Sequence, residues 1–139
     1  MVKKGVMTNI AGLSILLVED EFLIAIDAQE MLEEMGAASV DIAGTFEEAE
    51  RLIAAKKFDL AVLDVNLNGR MSFPLAEKLL DAGTPILFGT GYSLMSRPMP
   101  GFERGICVSK PYTAQTLKQG LLTALAAKSA GGGQMAAAS

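Results

Sequence analysis

Short apolar runs alternate along this chain with longer stretches in which apolar residues return every three or four positions, and no other feature constrains the fold as much. Runs of strand length separated by helix-like stretches are the pattern of successive βα units, whose strands lie parallel in one sheet with helices on both faces. Five such units are legible. The expected fold class is therefore α/β, with a five-stranded parallel sheet.

The first run is Ile15-Leu16-Leu17-Val18, after which Ile24, Ala28, Met31 and Met35 mark one buried helical face that Gly36 terminates. A second strand is predicted over residues 39–43. Thr45 and Glu48 then form an S/T-x-x-E capping box for a helix whose apolar face is Phe46, Ala49, Leu52 and Ile53. The third strand, Leu60-Ala61-Val62-Leu63, runs into Asp64. Ser72-Phe73-Pro74 reads as a helix start, with Leu75, Leu79 and Leu80 inside and Gly83 as the stop.

A fourth strand is predicted over residues 85–88. Pro98, Pro100 and Gly101 interrupt the pattern that follows, so a short or irregular fourth helix is expected. Ile106-Cys107-Val108 is the fifth strand, and Thr113 caps a last helix carrying Leu117, Leu121, Ala124 and Leu125 on one face. The expected organisation is an N-terminal extension over residues 1–10, one folded domain over 11–128, and a flexible tail over 129–139. That tail opens on Gly131-Gly132-Gly133 and offers only small residues to pack.

Half of the 139 residues are apolar, which is enough for one core of ordinary size. The 12 basic and 16 acidic residues give a net charge of -4 with no basic stripe, so nucleic acid is not an expected partner. No apolar stretch reaches the ~20 residues a bilayer span needs, and Lys3-Lys4 is not followed by a signal-peptide apolar segment. A cytoplasmic location without membrane attachment is expected. The one cysteine, Cys107, lies in an apolar run and reads as a small core residue. With no histidine there is no Ser-His-Asp or Cys-His machinery, and a zinc site would lack its usual nitrogen ligands.

Three strand ends carry charge: Glu19-Asp20, Asp64 and Lys110. Ligands of open α/β sheets bind at the carboxyl ends of strands, and the right-handed crossover rule makes strands one and three neighbours. Two carboxylates about 5 Å apart at an effective dielectric near 20 repel by roughly 3 kcal/mol. A hard cation with oxygen ligands offsets that cost, and Mg²⁺ is the usual one beside phosphate. Lys110 adds a point charge suited to a phosphoryl oxygen. Thr90, followed by Gly91, can face the same crevice, and Asn66 can lend its main-chain carbonyl to the metal while Gly69 loosens the loop.

Each element has a plainer reading alone. Asp20 can be the N-cap of the first helix, Asp64 can cap a turn, Lys110 can be a solvated strand end, Thr90 a turn residue, and Asn66-Leu67-Asn68-Gly69 a simple turn.

Taken together, the residues resemble the receiver domains of two-component response regulators: an acid pair after strand one, an aspartate after strand three, Ser/Thr after strand four and Lys-Pro after strand five. The resemblance covers residues 11–128 and implies the doubly wound, flavodoxin-like fold with strand order 2-1-3-4-5, which general accounts of this fold illustrate with a receiver of the same family. It implies that Asp64 accepts a phosphoryl group from the phosphohistidine of a sensor histidine kinase or phosphotransfer protein. Mg²⁺ would sit on Asp20, Asp64 and the Asn66 carbonyl, with Glu19 reaching it through water, while Thr90 and Lys110 bind phosphoryl oxygens. Such a domain stands between an enzyme and a switch, catalysing its own phosphorylation and slowly losing the group to water. The expected output is contact with an unnamed downstream protein, as for stand-alone receivers.

Two positions depart from the common receiver pattern. Cys107 stands where a strand-five Tyr or Phe is usual, and Leu87-Phe88-Gly89-Thr90-Gly91-Tyr92 resembles the subgroup with a Phe-x-Thr-Gly-Tyr motif. Activation is then expected to order residues 93–105. Competing readings are a receiver-like binding module that is never phosphorylated, a phosphatase of the haloacid dehalogenase type, and a flavodoxin-like cofactor binder. The dehalogenase type normally has a second Asp where Asn66 stands, and the acids Glu19-Asp20-Glu21 would repel the phosphate that a flavodoxin-like loop binds.

Overall fold

In the computed structural model, residues 10–91 and 106–129 are described. The elements are β1 (Ser14–Val18), α1 (Phe22–Glu34), β2 (Ser39–Ala43), α2 (Phe46–Ala55), β3 (Leu60–Asp64), β4 (Asn66–Leu67), β5 (Arg70–Met71), α3 (Phe73–Asp81), β6 (Ile86–Thr90), β7 (Ile106–Ser109) and α4 (Ala114–Ser129). The five long strands form one parallel sheet in the order β2-β1-β3-β6-β7, the order expected. The irregular helix expected after Thr90 falls outside the described residues.

Alternation of side chains along the strands divides the core in two. Ile15, Leu17, Leu60, Val62, Leu87, Ile106 and Val108 face α1 and α4, joined there by Ala25, Ala28, Leu32, Leu117 and Leu121. Leu16, Val18, Ala61, Leu63, Ile86 and Phe88 face α2 and α3, with Phe46, Ala49, Leu75 and Leu79. Every residue of β3 is buried, as a central parallel strand requires. Full burial of one such leucine or valine contributes about 1.5–3 kcal/mol, and β6 is buried along its whole length as well.

Local chemistry sets the helix ends. Thr45 Oγ1 accepts the Glu48 N–H at 3.1 Å, but Glu48 Oε1 reaches back to the Gly44 N–H at 2.7 Å, one residue earlier than a standard box. Thr113 caps α4: its Oγ1 accepts the Thr116 N–H, and Thr116 Oγ1 returns the favour to the Thr113 N–H, both at 3.1 Å. Gly36 and Gly83, with φ of 100° and 86°, end α1 and α3 in the left-handed region that glycine tolerates.

Strand β6 and Cys107 depart from expectation, and two of the plainer readings are decided. Glu21, not Asp20, occupies the N-cap position of α1, and no side chain caps that helix, because Asp20 is drawn into the carboxylate cluster described below. Strand β6 extends to Thr90, beyond the expected 85–88, because β3 and β7 supply ladder partners for Gly89 and Thr90. Cys107 is partly rather than fully buried, since β7 is an edge strand. The Asn68-Gly69 turn closes a small antiparallel hairpin, β4-β5, with φ of 55° and 90° at its two central residues.

Candidate functional site

The carboxyl ends of β1, β3 and β7 bring Glu19, Asp64 and Lys110 together. Lys110 Nζ lies 3.0 Å from Glu19 Oε1 and 2.9 Å from Asp64 Oδ2. Glu19, Asp20 and Asp64 each offer a carboxylate oxygen, and these oxygens all lie within 4.8 Å of one another. Main-chain donors orient two of the acids: Glu21 N–H donates to Glu19 Oε2 at 3.1 Å, and Asn66 N–H to Asp64 Oδ1 at 3.2 Å. The Lys110 N–H itself donates to the Thr90 carbonyl at 2.9 Å, which ties β7's end to β6. The Lys110-Pro111 peptide bond is cis.

Burial governs the electrostatics. Glu19 is 2% exposed and Asp64 5% exposed. Desolvation, followed by the neighbouring Asp64 charge, pushes the Glu19 carboxyl up to about 7, against the lowering effects of the Glu21 N–H and Lys110. Desolvation likewise raises Asp64, outweighing the Lys110 and Asn66 hydrogen bonds that lower it, and its contact with Asp20 adds to the rise. Lys110 is also raised: burial opposes its charge, but the hydrogen bonds to Asp64 and Glu19 win. These two ion pairs thus strengthen the ammonium without rescuing the acids, because among the described residues a single cation faces three carboxylates.

That imbalance is the test of whether a divalent cation fits. Three carboxyl groups share one ammonium in a partly dry pocket, and the donors are all hard oxygens, the set that suits Mg²⁺. Asn66 stands directly beyond the cluster, with its side-chain oxygen engaged by the Gly69 N–H at 2.6 Å.

Thr90 is buried at the same rim, but its hydroxyl donates to the Gly91 carbonyl at 3.3 Å rather than to the acids. By strand alternation Thr90 lies on the α2/α3 side, with Ile86 and Phe88, whereas Asp64 lies on the α1/α4 side with Leu60 and Val62. Tyr92 and residues 93–105 lie outside the described residues. Tyr112, two residues past Lys110, carries no sequence signature of its own. The one hint is Gly89, since a glycine inside a strand often marks a close approach to its backbone. Here the approaching group is the Tyr112 phenol.

A family model described as the response regulator receiver domain matches residues 15–122. The chain belongs to that family. Over 102 residues it is 33% identical to the transcriptional regulatory protein YvrH of Bacillus subtilis, a match covering 71% of this chain and 43% of that protein. Over 80 residues it is 36% identical to the transcriptional regulatory protein PdtaR of Mycobacterium tuberculosis, covering 57% of this chain and 39% of that protein. The chain thus spans about two-fifths of the length of these relatives.

Among solved structures, the N-terminal domain of a response regulator/sensory box/GGDEF protein from Carboxydothermus hydrogenoformans superposes with a TM-score of 0.70 at 26% identity, covering 85% of this chain and 98% of that one. The anti-anti-sigma factor PhyR of Bartonella quintana gives 0.66 at 29% identity, covering 86% of this chain and 49% of that one. Receiver domains generally bind Mg²⁺ at an acidic cluster, and Glu19, Asp20 and Asp64 form one here. Receivers also interact with histidine kinases or phosphotransfer proteins. No helix among the described residues is long and apolar enough to cross a membrane.

Proposed function

We propose that Asp64 accepts a phosphoryl group from the phosphohistidine of a sensor histidine kinase or phosphotransfer protein, and that the phosphorylated domain signals by contact with another protein in the cytoplasm. The observation that carries this reading is Lys110 held between Glu19 and Asp64 beside a three-carboxylate cluster. An Asp64 oxygen forms the new bond to phosphorus as the bond from phosphorus to the donor imidazole breaks, the imidazole leaving with the bonding pair. Asp20, Asp64 and the Asn66 main-chain carbonyl are the groups to hold Mg²⁺, with Glu19 behind them. When bound, the ion supplies neutralisation of the charge that develops on the transferring group.

Lys110 then exchanges carboxylate oxygens for a phosphoryl oxygen, and the Thr90 hydroxyl rotates from the Gly91 carbonyl to donate to another. Both movements carry the signal away from the rim. The phosphoacceptor unit is residues 11–128. The likeness to a protein described as an anti-anti-sigma factor favours a protein target over nucleic acid.

Intact mass measured after incubation with acetyl phosphate and Mg²⁺ tests the reading. One added phosphoryl group is expected, lost in Asp64→Asn and on chelation of Mg²⁺. An unlabelled wild type would instead make the chain a binding module that is never phosphorylated.

A further inference from the structure

The hydroxyl of Tyr112 is one of two buried side-chain polar atoms that have no hydrogen-bond partner among the described residues, the other being Ser72 Oγ. Burial of an unpartnered hydroxyl is unfavourable, so packing alone would be served better by phenylalanine. Gly89 sets where this hydroxyl sits. A Cβ on Gly89 would overlap the Tyr112 oxygen and stand 2.6 Å from Tyr112 Cζ, so the phenol tip fills the side-chain space that the glycine leaves empty.

Gly89 is also the registered partner of Asp64 on the adjacent strand. Neighbouring parallel strands run about 4.8 Å apart with registered side chains on the same face. The phenol tip therefore stands beside the Asp64 side chain, and the charges of Glu19 and Asp64 both reach it. No group of the resting site uses it.

Building on the reading of Asp64 as phosphoacceptor, we infer that Tyr112 is a phosphoryl-binding residue whose O–H donates to an oxygen of the group on Asp64. A phosphoryl group brings three strong acceptor oxygens into the gap between Asp64 and Gly89. The hydroxyl, without a partner at rest, gains one when the group arrives, so its hydrogen bond favours the phosphorylated state over the resting state. Gly89 is what admits the donor: any larger residue there displaces the phenol tip from the acceptor's neighbourhood.

Titration calorimetry on the whole chain tests this, with beryllofluoride plus Mg²⁺ as the phosphoryl mimic and Mg²⁺ alone as reference. Tyr112→Phe is expected to bind beryllofluoride about tenfold more weakly, the effect of losing a hydrogen bond to a charged group. Its Mg²⁺ affinity should be unchanged, and its ligand-free melting temperature equal to or above that of wild type. Gly89→Ala should show a comparable loss, and Tyr112→Phe decides the matter where the alanine variant does not fold. Equal beryllofluoride affinity in wild type and Tyr112→Phe would overturn the inference. A wild type that binds no beryllofluoride would overturn the phosphoacceptor reading, and this inference with it.

Discussion

At Glu19, burial and charge act against each other within one side chain. Its carboxyl rises from an ordinary 4.5 to about 7 on folding, so between those values the folded chain holds a proton that the unfolded chain has released. Stability without metal therefore falls as pH rises from about 4.5 to about 7, then levels off. Asp64, raised in the same direction, steepens the fall. The melting temperature of the metal-free protein should decline across that window, and Glu19→Gln should flatten the decline. A profile that rises with pH would refute the assignment. Mg²⁺ competes with the same proton, so its affinity should climb over the same range. Glu19, Asp64 and Lys110 were legible in the sequence because each stands at the end of an apolar run, where topology alone makes groups converge. Tyr112 was not, because its meaning depends on an empty place on another strand.

Among the elements, α4 shows how close a helix can be drawn onto the sheet. A Cβ at Gly120 would meet Leu87 Cδ1 at 2.7 Å and Val108 Cγ1 at 3.0 Å. Alanine gains about 1 kcal/mol over glycine in a helix interior, whereas overpacking a core costs about 1–3 kcal/mol. The clash wins, and Gly120→Ala should lower the urea-unfolding free energy by about 1 kcal/mol. A more stable variant would mean that the leucine yields. Thr45→Ala, which removes the α2 cap, should cost about 1 kcal/mol by the same measurement. Helix starts were readable because caps are local. The β4-β5 hairpin was not, since two-residue strands leave no alternation to read. It is held instead by distant contacts: Arg70 pairs with Glu47 at 2.6 Å and covers the Phe46 ring at 3.6 Å from its centroid, fastening the segment after Asp64 to α2.

For the molecule as a whole, a cation held by Glu19, Asp20 and Asp64 would act on folding as well as on the proposed reaction. An ion that binds only the folded state adds RT ln(1 + [L]/Kd), about 2.7 kcal/mol at a hundredfold excess over Kd. The melting temperature should rise steadily with the logarithm of Mg²⁺ concentration at neutral pH, and Asp20→Asn should abolish most of the rise. An unchanged response in that variant would remove Asp20 from the ligand set. The crossover rule made strands one and three neighbours, and the rest of the sheet order came from the resemblance to receiver domains. The faces of the strand ends needed coordinates, because a one-residue change in register would move Thr90 to the other side. That parity puts Asp64 toward one pair of helices and Thr90 toward the other. A group gripped by both would work like a rivet through the sheet, so that one small chemical event reaches two layers which the backbone otherwise insulates from each other.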